Sequence, residues 1–298
     1  MRICVIGVPM DLGADRRGVD IGASAIRYAG LNDQLRRLGY IVNDVGNIVV
    51  PQPESQPTSG DSHLKYLEPI LRASEDLANA VSAAFEAGEF PLILGGDHSI
   101  ALGSITGVAR VHRDVGVIWI DAHGDFNTNE TTPSGNIHGM VLAALAGLGP
   151  ASLTHLGGWA PKINKQTIVI VGARDLDAEE QDLLREEQIH VFTMSDIDQR
   201  GMSDVMREAV DIASQASHGV HLSLDMDSLD PREAPGVGTP VRGGLTYREA
   251  HLAMEMVAAS GRLVSMDAVE VNPILDRENA TAHLAVELIL SALGKKIL

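Results

Sequence analysis

VGVIWIDAHGDFN, residues 115–127, joins an apolar run at 115–120 directly to Asp121, His123 and Asp125. A run that is apolar at every position lacks the alternation of a half-exposed strand. It predicts a strand buried on both faces, as in the parallel sheet of an α/β protein. The three polar groups that follow are spaced two apart, so in extended backbone they project to one side. The same arrangement recurs twice. PLILGGDHS (91–99) places His98 after an apolar run, and GVHLSLDMDSLDP (219–231) places Asp225 and Asp227 after another.

In open α/β sheets, ligands collect outside the carboxyl ends of the strands. Three strand ends can therefore bring His98, Asp121, His123, Asp125, Asp225 and Asp227 to one centre. Taken singly, each aspartate reads more readily as a helix cap or turn residue than as a ligand, and a lone histidine as a satisfied polar group. Together they differ, because four carboxylates without cations would repel, raise one another's pKa and destabilise the fold. Two divalent cations would neutralise them, so a dinuclear site is expected. Calcium prefers all-oxygen shells; zinc and iron are compatible, and mixed carboxylate and imidazole ligands suit manganese. Gly95, Gly96 and Gly124 are expected to let the backbone turn sharply beside the crowded groups.

Further strand candidates are ICVIGV (3–8), IVNDVG (41–46), FPLIL (90–94), TIVIV (167–171), the Val-Phe pair at Phe192, VHLSL (220–224) and LVSMDAVEV (263–271). Amphipathic stretches lie between them. Residues 68–88 carry Ile70, Leu71, Leu77, Val81 and Phe85 on one side and end at Gly88, a helix-stop signal. Residues 247–259 and 280–293 are similar in character. This alternation predicts one α/β domain spanning 1–298 with a mostly parallel sheet. The polar segment PQPESQPTSGDS (51–62) reads as a surface excursion rather than a domain boundary.

The 298 residues suffice for a sizeable core, which must rest on aliphatic side chains because only 3% of residues are aromatic. A net charge of −17 disfavours nucleic acid and anionic membranes as partners. The single cysteine, Cys4, can form no internal disulfide. No apolar stretch is long enough to span a bilayer, and no signal sequence is recognisable. A cytoplasmic protein is expected.

The segments GVDIGASAIR (18–27), GGDHS, DAHGDFN, SGNIHG (134–139), SLDMDSLDP, GTPVRGGLTYREA (238–250) and MDAVEVNP (266–273) resemble the ureohydrolases, and among them the arginases. The resemblance runs through nearly the whole chain in order, which a single short pattern would not do. It implies a three-layer α/β/α fold and two Mn²⁺ ions per subunit. It also implies hydrolysis of L-arginine to L-ornithine and urea by metal-bridging hydroxide, in a homotrimer or homohexamer. Asp125 would be both metal ligand and proton carrier, His138 a proton shuttle, and Glu270 the carboxylate that grips the guanidinium. Asn127 and Ser134 match positions used for the substrate α-carboxylate, and Asp177 and Glu180 positions used around its α-amino group.

Asp177 and Glu180 read equally well as acids at a helix N-terminus. Agmatine lacks the α-carboxylate, so an agmatinase or guanidinobutyrase has no use for Asn127 and Ser134. A non-catalytic metal-binding relative would need neither His138 nor Glu270. Three positions depart from the arginase pattern: Val141, Asn129 and Ala23 stand where proline is frequent.

Overall fold

A computed structural model describes residues 1–14, 16–56 and 61–296. The strands are β1 (Arg2–Gly7), β2 (Ile41–Asn47), β3 (Phe90–Leu94), β4 (Gly116–Ile120), β5 (Ile168–Ala173), β6 (His190–Thr193), β7 (Val220–Asp225) and β8 (Leu263–Val269). They form a single sheet in the order β2-β1-β3-β8-β7-β4-β5-β6, and every pairing is parallel. The expected mostly parallel sheet is thus parallel throughout. The last two strands, β7 and β8, fill the gap between β3 and β4.

Helices follow in the order α1 (Gly22–Tyr28), α2 (Leu31–Arg37), α3 (Leu67–Glu86), α4 (Ala101–Val111), α5 (Val141–Leu145), α6 (Ala151–Thr154), α7 (Ala178–Glu186), α8 (Met194–Arg200), α9 (Met202–Ala213), α10 (Tyr247–Ser260) and α11 (Ala280–Ala292). They divide into two layers. Ile118 and Ile120 of β4 point into the core shared with α1, α2, α8, α9, α10 and α11. Val117 and Trp119 point the other way, into the core shared with α3, α4, α5, α6 and α7. Burial on both faces explains why this strand is apolar at every position.

Helix α3 shows how pattern becomes packing. Ile70, Leu77 and Val81 are fully buried, while Leu71 and Phe85 pack part-buried against the same core. Gly88 follows with φ +68°, the left-handed conformation that glycine adopts freely at a helix end. Within the polar segment 51–62, Pro53–Ser55 forms one 3-10 turn, and residues 57–60 lie outside the described residues. No helix among the described residues is long and apolar enough to cross a membrane.

The face shared with α4 is not apolar where β7 and β8 meet it. His221, Ser223, Ser265 and Asp267 are buried there. His221 Nδ1 lies 2.8 Å from Ser265 Oγ and its Nε2 3.2 Å from Asp267 Oδ2, which also accepts a 2.6 Å bond from Ser104 of α4. These bonds satisfy most of the polar atoms buried there, with Asp267 Oδ1 left without a partner.

Candidate metal centre and active site

Five adjacent strand ends supply the site. His98 follows β3, Glu270 follows β8, Asp225 ends β7, Asp121 follows β4, and Asp175 and Asp177 follow β5. Because these strands are neighbours in the sheet, their convergence follows from the topology.

The His98 ring is buried and stacked on Trp119, with centroids 3.9 Å apart. Ser223 Oγ meets its Nε2 at 2.7 Å. That contact turns Nδ1 toward three carboxylate oxygens: Asp121 Oδ2 at 3.0 Å, and Asp125 Oδ2 and Asp225 Oδ2 at 3.1 Å each. Nδ1 has no hydrogen-bond partner of good geometry. His123 Nδ1 lies 3.3 Å from Asp121 Oδ1 and 3.2 Å from Asp227 Oδ2. Asp121 therefore gives one oxygen to each of two ligand groups, His98–Asp121–Asp225 and Asp121–His123–Asp227.

Surrounding donors hold these carboxylates. Asp121 accepts from His123 N at 2.7 Å and Trp119 Nε1 at 2.9 Å. Asp225 accepts from Asp227 N at 2.7 Å, and Asp227 from Thr239 Oγ1 at 2.8 Å. Such outer contacts fix the aim of a ligand before any ion arrives.

The electrostatics match the donor set. Burial raises the pKa of Asp125 and Asp225, and neighbouring carboxylates raise both further. Burial opposes the charged forms of His98 and His123, but the carboxylates outweigh it and push both rings up. A buried nitrogen ringed by carboxylate oxygens, among four aspartates, is a site that cations relieve. The residues fit a pair of divalent ions.

Binding such ions must displace the imidazole protons. Each displaced proton costs about tenfold in apparent affinity per pH unit. With His98 and His123 both losing one, the combined affinity for two divalent ions is expected to fall about a hundredfold for each unit of acidification below neutrality. Chelator-competition titrations at pH 6, 7 and 8 measure this; a pH-independent affinity would contradict it.

Backbone strain marks two of the site residues. Asp125 has φ +48° and Glu270 φ +63°, a left-handed conformation that non-glycine residues rarely adopt. Glu270 is only 1% exposed. Its Oε1 accepts from His98 N at 3.0 Å and faces His138 Nδ1 at 3.3 Å. Its Oε2 is buried with no partner. Burial pushes the Glu270 carboxyl up and favours a neutral His138, yet contact with Glu270 carries the His138 ring to about 9.

A pocket opens above these groups, lined by His123, Asp125, Asn127, Ser134, His138, Asp177 and Glu180. Asn127 Nδ2 donates to Asp177 Oδ2 at 3.0 Å, and Ser134 is exposed at the mouth. Asp177 also caps α7, and Glu180 completes its capping box. The two Glu180 oxygens accept from Phe126 N at 2.9 Å and Asp177 N at 3.2 Å. Its carboxyl, raised to about 7 by burial, thus braces the backbone beside Asp125.

The comparisons with known proteins agree over the full length. The Arginase family model matches residues 1–294. The arginase of Brevibacillus brevis is 55% identical, covering 99% of this chain and 98% of that protein. The native structure of the arginase from Bacillus caldovelox superposes with a TM-score of 0.97 at 53% identity, covering 100% and 99% of the two chains. The chain belongs to the arginase family. It is a hydrolase of that family, and arginases contain a binuclear metal centre. A more distant arginase, that of Entamoeba histolytica in complex with L-ornithine, superposes with a TM-score of 0.90 at 32% identity, covering 99% and 98%.

Within this arginase-family site the sequence reading can be extended. The backbone bends at Gly96, and none of Gly95, Gly96 and Gly124 has positive φ. They serve close approach: a Cβ on Gly96 would lie 2.4 Å from Met10 O, and one on Gly124 2.7 Å from Glu180 Oε1. The reading also passed over Thr132, Asp175 and Thr239, which line the pocket, and Ser223, which orients His98. No local spacing links Thr132, Asp175 or Thr239 to the ligands, whereas Ser223 stands two residues before Asp225 in the same stretch. Of the three departures from the arginase pattern, Val141 and Ala23 are the first and second residues of α5 and α1, positions where a proline would be tolerated. Asn129 accepts from His63 through its backbone oxygen.

Proposed function

We propose that this chain is a two-manganese hydrolase that splits the guanidinium group of L-arginine into L-ornithine and urea. One observation carries the reading: Glu270 presents a buried, unpartnered carboxylate oxygen beside the ligand cluster. Oε1 already meets His98 N and His138, so the buried Oε2 is the oxygen left for a planar guanidinium, which supplies N–H donors suited to a carboxylate.

His98, Asp121, Asp125 and Asp225 would hold one ion, and Asp121, His123 and Asp227 the other. When bound, the pair supplies a water acidic enough to attack the unreactive guanidinium carbon at neutral pH. Glu270 orients the guanidinium. Asp125, in its strained left-handed conformation, hands a proton to the departing nitrogen. His138, part-exposed between Glu270 and the pocket mouth, exchanges protons with solvent. Ser134 and Asn127 receive the α-carboxylate, and Asp177, held by Asn127, receives the α-ammonium.

The active unit is the single domain 1–298, acting in the cytoplasm as a homotrimer or homohexamer. His138→Ala is expected to keep both metals while kcat falls about 10²-fold or more, the usual contribution of proton transfer. Metal analysis with steady-state kinetics checks it, and metal loss in this variant would contradict the role. The reading as a whole is tested by urea release from L-arginine, agmatine and guanidinobutyrate. Preference for agmatine would overturn the α-carboxylate assignment, and no turnover on any of them would leave a non-catalytic metal binder.

A further inference from the structure

Arg174 lies on the loop after β5, outside both ligand groups and outside the pocket lining. Its guanidinium donates to five backbone carbonyls. Three belong to the turn after β7: Asp227 at 2.7 Å, Ser228 at 3.0 Å and Leu229 at 3.2 Å. Val241 O accepts from Nη2 at 2.8 Å and from Nε at 3.3 Å, and Gly172 O accepts at 3.3 Å. These contacts engage all three guanidinium nitrogens. Gly244 permits the arrangement, since a Cβ there would lie 2.5 Å from Nη2.

The turn it grips is short. Residues Met226–Ser228 make one 3-10 turn, after which the chain runs irregularly to α10. No helix follows to satisfy the carbonyls of that turn; Ser228 O also accepts from Leu245 N at 3.0 Å, but Asp227 O looks to Arg174, and a buried unpaired carbonyl is costly. The same turn carries Asp227, whose side chain faces His123. No carboxylate of the described residues forms an ion pair with Arg174 in contact, so its attachment is to backbone.

We propose that Arg174 is the positioning residue of the subsite framed by Asp121, His123 and Asp227. It clamps the β7 turn to the loop after β5, where its own backbone N donates to Ala122 O at 2.8 Å beside His123, and so fixes the distance from Asp227 to His123. The inference rests on the two-metal reading above. Five acceptors spread over three chain segments match the planar fork of arginine, whereas lysine offers its donors from a single point.

The test titrates wild type, Arg174→Lys and Arg174→Gln with Mn²⁺, reading bound metal by elemental analysis and the coupling of the two ions by electron paramagnetic resonance. In both variants the first Mn²⁺ should bind as in wild type. The second should bind about 10–100-fold more weakly, as for other outer contacts of metal ligands. The half-loaded variants should give the spectrum of isolated Mn²⁺ and not of a coupled pair. Circular dichroism of the metal-free proteins checks folding. Lysine, which keeps the charge and most of the stem, carries the test should the glutamine variant not fold. Wild-type affinity for the second ion in the lysine variant overturns the clamp, and recovery by lysine but not glutamine would assign the effect to charge instead. Wild type binding one Mn²⁺ only would overturn the two-metal reading as well, and so separates the two failures.

Discussion

Glutamine in place of Glu270 is expected to lower kcat/KM for L-arginine by about 10²- to 10⁴-fold and to leave the metal content unchanged. The substitution keeps the side chain's volume, so packing around this buried position is preserved. What changes is the face offered to the substrate. Oε1 is already committed to His98 N, which leaves Oε2 for the guanidinium. An amide in that setting must aim its NH₂ either at the His98 N–H or at the substrate's own N–H groups. Either choice sets donor against donor in a buried place. Breaking one side of a buried charge pair costs about 3–5 kcal/mol, and each 1.36 kcal/mol is about tenfold in rate. Steady-state kinetics with elemental analysis measures both quantities. A loss smaller than about tenfold would mean that Glu270 does not hold the guanidinium.

The second large effect falls on the other side of the cluster. Asp227→Ala is expected to leave one Mn²⁺ per chain at stoichiometric metal and to reduce turnover about a hundredfold or more. Asp227 Oδ2 lies 3.2 Å from His123 Nδ1, and its oxygens accept from Thr239 Oγ1 and, at 3.3 Å, from Ala122 N. Alanine removes the ligand and leaves those donors unsatisfied. A protein site can lower the pKa of bound water by about two units relative to the free aqua ion, and each unit is about tenfold in available hydroxide at fixed pH. Excess Mn²⁺ should restore part of the activity, because His123 and Asp121 remain. Two tightly bound ions with unchanged turnover would remove Asp227 from the ligand set.

The eight strands were legible to within about two residues because most are buried on both faces. Weak signals came from the sheet edges. β6 is four residues long and only partly buried, so no more than its Val-Phe pair stood out. Helices α3, α10 and α11 span several turns and show their periodicity, whereas α1, α2, α5, α6 and α8 have seven residues or fewer and cannot.

The ligand cluster was legible for a different reason. Its residues are dense in three short segments, and the spacing of two survives in the structure. Arg174 was not legible, because it acts on a turn that belongs to a strand distant from its own in sequence, and Thr239 was not, because it lies in the irregular connection after that turn, where no periodicity marks it. The left-handed backbones of Asp125 and Glu270 were equally hidden, since neither position carries the glycine that would announce one. Glu180 shows the opposite limit. Its acidic character at a helix start was visible, but its grip on Phe126 N depends on the approach of the loop after β4.

The most direct test of the account is urea release from L-arginine followed as Mn²⁺ is returned to metal-free protein, with the ions bound per chain counted at each step. The account predicts negligible turnover with no ion bound and full turnover only as the second site fills. Full turnover with one ion bound, or with none, would contradict it.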